Sequence, residues 1–183
     1  MLNLNGVKRM KNEYRIEELS TWVETVRAGD LIFLSGKIYA ARDAVHKKWL
    51  KMFEEEKTLP LTFENTGIYY TGVTPAPAGR IIGSCGPTTS TRMDTYYQLL
   101  SNYGLRLTIG KGMRSEEVRK IIERTKGIYL CAIGGAGALY SSCIVENKII
   151  QYEELGCEAL RELIVEHFPV FVGIDASGNT IFT

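Results

Sequence analysis

The chain has 183 residues, 45% of them hydrophobic and 23% charged, which suits one packed domain and argues against disorder. A formal net charge of +1 leaves no broad basic footprint for nucleic acid or an anionic membrane. No apolar run approaches the roughly 18 residues that span a bilayer, and the opening residues lack a signal-peptide core, so a cytoplasmic protein is expected.

In chain order, residues 1–12 are polar and irregular and read as a frayed end, with a single domain over 13–183. Residues 14–19 form a weak strand candidate and 21–26 a short helix or turn. Gly29-Asp30 opens a strong strand, LIFLSGKIYAA, apolar on both faces. After Arg42-Asp43 the spacing of Val45, Trp49, Leu50 and Phe53 is helical, against a polar face of Lys47, Lys48 and Lys51. Pro60 breaks that pattern. A short strand follows at 67–70, then an ordered loop, TPAPAGR, because alternating prolines favour extended backbone. Residues 80–83 read as a further strand. A helix runs from about 91 to 102, stopped by Gly104, and a strand covers 105–109. Ser115 caps a charged helix, EEVRKIIERTK. A buried strand at 128–133 ends in GGAGA. Another strand spans 148–152, a helix 158–167 and a strand 170–174, with a turn at Ser177-Gly178-Asn179. Seven to nine strands with three or four helices make a mixed α/β single domain.

Four cysteines, Cys85, Cys131, Cys143 and Cys157, form no C-x-x-C pair. They read as buried or half-buried thiols in a reducing compartment, not as metal ligands of a local site. Polar groups gather instead in four segments at strand ends. In GPTTSTRMD, Thr88, Thr89 and Ser90 bring hydroxyls and backbone N–H groups to a helix N-terminus, which attracts a carboxylate. Arg92 can add a bidentate grip. The plainer alternative is an ordinary cap with a surface arginine. Arg42 is either a second carboxylate ligand or half of an ion pair with Asp43. His46, one helical turn on, sits on a lysine-rich face and is either functional or solvated. Lys111, between two glycines, is either approachable by a ligand or an idle turn lysine. GGAGA lacks the spacing of a phosphate loop and reads as close backbone packing.

Taken together, the strings GDLIFLSGKIYAARDAVH (29–46), YYTGVTPAPAGRIIGSCGPTTSTRMD (69–94), IGKGMRS (109–115) and YLCAIGGAGAL (129–139) resemble the beta subunit of class I fumarate hydratases and of the related L-tartrate dehydratases. The resemblance covers about 20–183. It implies a swivelling β/β/α domain like the mobile domain of aconitases, and a hetero-oligomer with an alpha subunit whose cysteines hold a 4Fe–4S cluster. On that resemblance Arg42, Thr89, Arg92 and Lys111 bind the carboxylates of a small dicarboxylate, and Thr88 and His46 are both candidates for proton transfer. This chain then supplies no metal ligand. Thr91 stands where the family usually has glycine, which leaves the chemistry intact but alters how the helix begins. The implied activity is reversible hydration of fumarate to L-malate. Tartrate dehydration is the nearest rival, and a non-catalytic dicarboxylate-binding or assembly module the second. TPAPAGR and IGGAGAL favour the fumarase.

Overall fold

The strand β2, Leu31–Ala40, is the axis on which the domain is built. A computed structural model describes residues 12–59 and 61–182; the expectations for residues 1–11 and for Pro60 lie outside them. Along β2 the side chains of Ile32, Leu34 and Ile38 are buried while Phe33, Ser35 and Lys37 between them are only partly covered, the alternation a pleated strand imposes. Before it come β1, Glu13–Arg15, a 3₁₀ turn, Ile16–Glu18, and the one-turn helix α1, Leu19–Trp22.

After β2 the chain alternates strands and helices. These are α2 (Asp43–Glu54), β3 (Gly67–Tyr69), α3 (Asp94–Asn102), β4 (Leu107–Gly110), α4 (Glu116–Thr125), β5 (Ile128–Cys131), α5 (Gly137–Ser142), β6 (Ile144–Gln151) and β7 (Leu160–Ile174). The strands β1 to β5 run parallel to their neighbours. The long strand β7 is antiparallel to β5, to β6 and to β2. Sheet order is β1-β2-β3-β4-β5-β7-β6 with the extra pairing β2–β7, so the hydrogen-bonded path β2–β3–β4–β5–β7 returns to β2.

Two cores follow from the period of two along each strand. Ile38, Ala40, Leu107, Ile109, Ile128, Leu130, Leu163 and Val165 share one, with Trp22 of α1 and Tyr140 of α5. The intervening Tyr39, Ile68 and Tyr129 pack on the other against Val45 and Trp49 of α2, Tyr97 and Leu100 of α3, and Val118 and Ile122 of α4. The charged helix α4 starts on Ser115, whose Oγ accepts the Val118 N–H at 3.3 Å, and ends on Lys126 in the left-handed region (φ 52).

The mixed α/β single-domain fold is as expected; several elements are not. Residues 158–167 are not a helix: Glu158 closes a 3₁₀ turn, Glu153–Glu158, and Leu160 onward is β7. Leu160, Leu163 and Ile164 have helical spacing. They acquire it because β7 is apolar on both faces, Leu160 packing in one core and Leu163 and Val165 in the other. Residues 80–83 form no strand. Thr74 donates its N–H to the Ser84 carbonyl at 3.0 Å, so the TPAPAGR loop folds back on itself. The helix expected over 91–102 begins as a 3₁₀ turn, Ser90–Met93, and α5 was not anticipated. After the turn at 175–179, only an isolated bridge, Ile174 to Thr180, forms. Among the described residues no helix is long and apolar enough to cross a membrane.

Candidate active site

Because β2, β3, β4 and β5 are parallel, their carboxyl ends share one edge of the sheet, where ligands of open α/β sheets bind. The four polar segments leave from that edge. Thr71 bridges to Pro87 and Thr89 to Lys111, so GPTTS threads between the ends of β3 and β4 like a short added strand. Thr88 donates its N–H to the Tyr70 carbonyl at 2.7 Å, Lys111 its N–H to the Thr88 carbonyl at 3.1 Å, and Ser90 its N–H to the Lys111 carbonyl at 2.9 Å. Thr88, Thr89 and Lys111 are thereby held side by side by backbone bonds. The Lys111 side chain runs over Gly134 at the end of β5.

Arg42 and Arg92 meet across one carboxylate. Asp43 Oδ2 lies 3.3 Å from Arg42 Nε and 2.8 Å from a terminal nitrogen of Arg92. The other end of Arg42 is 3.4 Å from Glu158 Oε1, while Glu158 Oε2 accepts the Ala44 N–H at 3.1 Å. Glu158 thus satisfies an open N–H in the first turn of α2 from 114 positions away. A Cβ at residue 72 would come within 3.1 Å of the Arg42 guanidinium; Gly72 lets that side chain lie flat on the backbone. Of the sequence alternatives for Arg42, the ion pair with Asp43 is present, extended to Glu158. Arg92, with its side chain 48% exposed, pairs with Asp43 alone among the described residues.

His46 is not on the solvated face. It is 1% exposed, packed against Trp49, Tyr70 and Tyr96 with ring centroids 5.2–5.6 Å apart. Its Nδ1 lies 2.9 Å from the Arg42 carbonyl oxygen, which can only accept, so Nδ1 carries the hydrogen. Burial outweighs this bond and the neighbouring Asp43, and lowers the imidazole pKa to about 4. Its folded-state pKa lies below the unfolded value of 6.5, so the neutral ring contributes stability above that value, and the contribution is lost as pH falls toward 4. The gap corresponds to about 3 kcal/mol. Urea unfolding of wild type and His46→Gln at pH 7 and pH 4 should show the wild type losing that much more; parallel losses would refute it.

Ser90, whose hydroxyl turns inward, and three residues that sequence reasoning left unassigned, Tyr129, Asp94 and Arg114, complete the frame. Ser90 is buried and its hydroxyl bonds the Tyr129 hydroxyl at 2.9 Å, which in turn donates to the Gly112 carbonyl at 2.6 Å. Asp94 accepts from Arg114 Nε at 2.5 Å and from the Ser115 N–H at 2.7 Å. Asp94 and Arg114 lie inside quoted motif strings, but nothing in the sequence indicates that they pair. Of the close packing expected for GGAGA only Gly137 shows it: a Cβ there would collide with Ser84 and crowd Gly86, whereas one at Gly135 would meet open space.

The cysteines are scattered. Cys85 is buried, Cys131 and Cys143 half-buried and Cys157 exposed, and burial pushes the Cys85 thiol up to about 12. Among the described residues no three His, Cys, Asp or Glu side chains converge as metal ligands.

The sequence model of the Fumarase C-terminus family matches residues 5–183. An Escherichia coli K12 protein named fumarate hydratase class I, anaerobic, is 38% identical over 151 residues, 81% of this chain and 28% of that protein. Fumarate hydratase 2 of Leishmania major is 34% identical over 92% of this chain and 30% of its own length. The chain therefore spans under a third of these relatives. A Methanocaldococcus jannaschii protein provisionally named L(+)-tartrate dehydratase subunit beta is 34% identical over 93% of this chain and 91% of its own length.

Proposed function

We propose, on the premise that this chain belongs to the fumarase C-terminus family, that it is the substrate-gripping subunit of a two-chain hydro-lyase acting on fumarate and L-malate. The observation that carries this is the gathering of Arg42, Arg92, Lys111, Thr88 and Thr89 at one edge of the parallel strands. Three cations and paired hydroxyls there suit a small dicarboxylate. The match in length to the M. jannaschii protein supports a separate small subunit. The longer relatives support a second polypeptide supplying what this chain lacks.

An iron–sulfur cluster, implied by the family resemblance, does not fit this chain's own thiols, which are dispersed and mostly covered. We assign it to the partner alpha subunit, and the roles below are those of this chain alone. Arg42, Arg92 and Lys111 hold the carboxylates, with the Thr89 hydroxyl as a further donor. Hydration or dehydration passes through a state with extra negative charge on the carboxylate next to the reacting carbon. Fixed cations at that position stabilise it more than the ground state. The Arg92 guanidinium has further N–H groups beyond the one facing Asp43, so a bidentate contact remains open to a ligand. Thr88, half-buried beside Lys111, moves the proton by handing it to a base of the partner, since a hydroxyl alone is a weak base. His46, facing the core and bonded to the Arg42 carbonyl, positions Arg42.

A tartrate dehydratase is the second reading, favoured by the same-length relative. Anaerobic co-production with a cluster-bearing alpha chain, assayed on malate and on tartrate, separates them. The 183-residue chain alone should be colourless and inactive, and the pair should prefer malate at least tenfold in kcat/KM. A brown, active single chain after anaerobic reconstitution would refute the two-chain assignment, and a preference for tartrate would transfer the substrate.

A further inference from the structure

We propose that Arg114, which contacts neither the open edge nor the assigned ligands, is the positioning residue that fixes the two substrate-gripping loops to each other. The inference rests on the carboxylate-site reading above.

The Arg114 side chain is 0% exposed. Its Nε donates to Asp94 and one terminal nitrogen to Thr108 Oγ1 at 3.2 Å, while the other terminal nitrogen has no hydrogen-bond partner among the described residues. Its guanidinium lies 4.9–5.5 Å from the ring centres of Tyr70, Tyr97 and Tyr129. A buried, incompletely bonded cation is a poor device for stability alone, because apolar residues of similar volume commonly serve a core as well or better. What distinguishes this one is where its contacts lead.

Three of those five contacts lead into the site. Asp94 begins the helix that follows GPTTSTRM and also accepts the Ser115 N–H. Tyr70 accepts the Thr88 N–H on its carbonyl. Tyr129 bonds both Ser90 and Gly112 through its hydroxyl. Arg114 itself closes the GKGMR loop that carries Lys111. The loops of Thr88–Arg92 and of Lys111 are thus tied at their near ends by backbone bonds and at their far ends by Arg114 with Asp94. Two-point attachment sets both spacing and angle, which one attachment leaves free. A planar guanidinium fits this task because it bonds in its plane and stacks on rings across it. A lysine in its place keeps only the charge.

Arg114→Lys is the primary test. Amide exchange of Ser90 and Lys111, measured on the full chain, should accelerate at least tenfold. In the assembled protein KM for malate should rise at least tenfold with kcat changed less than threefold. Unchanged exchange and unchanged KM, with only a lower Tm, would make Arg114 a structural residue and overturn the proposal. Should that variant not fold, Arg114→Met with Asp94→Asn removes both charges while leaving an acceptor for Ser115, and the same readouts decide. If neither folds, the pair is a folding element and the positioning assignment falls. A wild-type assembly inactive on every dicarboxylate would refute the functional reading alone, since the exchange measurement still decides the role of Arg114.

Discussion

Arg42→Met is expected to lower kcat/KM for malate in the assembled protein by about three orders of magnitude, roughly 4 kcal/mol of transition-state stabilisation. Two effects add. The substrate loses a cation that strengthens its hold as charge develops, and the carboxylates of Asp43 and Glu158 lose their shared partner. Glu158 then faces an incoming anion uncompensated, Asp43 keeping only Arg92, and like charges at close range repel. The second effect has its own signature: adding Glu158→Gln to Arg42→Met should recover part of the loss, although Glu158→Gln alone should be mildly harmful. A single variant within tenfold of wild type would return Arg42 to the role of an ordinary ion-pair residue.

Thr88→Val should be the more selective lesion. Valine matches threonine in shape, and the backbone bonds of residue 88 to Tyr70 and Lys111 do not involve the hydroxyl, so folding and KM should change little. If the hydroxyl moves the proton, kcat should fall at least a thousandfold, at the upper end of what one acid–base group contributes. His46→Gln should retain measurable turnover. The pH profile of kcat should show no acid limb near the ordinary histidine value, because His46 stays neutral down to about pH 4. A limb near pH 6.5 that disappears in His46→Gln would exchange the two roles, and near-normal kcat in both variants would place proton transfer on the partner.

The residues of the proposed site stood out in the sequence because their chemistry is local. GPTTSTRMD, RDAVH and GKG each announce hydroxyls or cations beside a strand end, and the parallel sheet brings those ends together. Their neighbours were not legible. His46 was read on the lysine face of α2, but its ring turns inward between Trp49 and Tyr70, a choice made by tertiary packing. Glu158 was read as starting a helix. Its carboxylate reaches α2 from another part of the chain, and no window of sequence contains that pairing. The same holds for β7, whose 15 residues pair with three different strands. Long-range partners override the local helical spacing of Leu160, Leu163 and Ile164, since what a strand residue prefers depends on what it packs against.

The closed path of strands has a consequence for the order in which the molecule comes into being. Strand β2 is paired along its length with residues 161–171 of β7, so its two sides are completed by segments far apart in synthesis. During translation β2 has an unpaired flank while every intervening helix is already made. Contacts of such sequence separation are slow to form, and a flank of unpaired strand is the kind of surface on which chains associate wrongly. Glu158, which holds Arg42, lies just before the closing strand. The frame of the proposed substrate grip is therefore finished in the same late event that seals the domain, and a nascent chain stalled before Arg161 has Arg42, Arg92 and Lys111 without the pairing that aligns them.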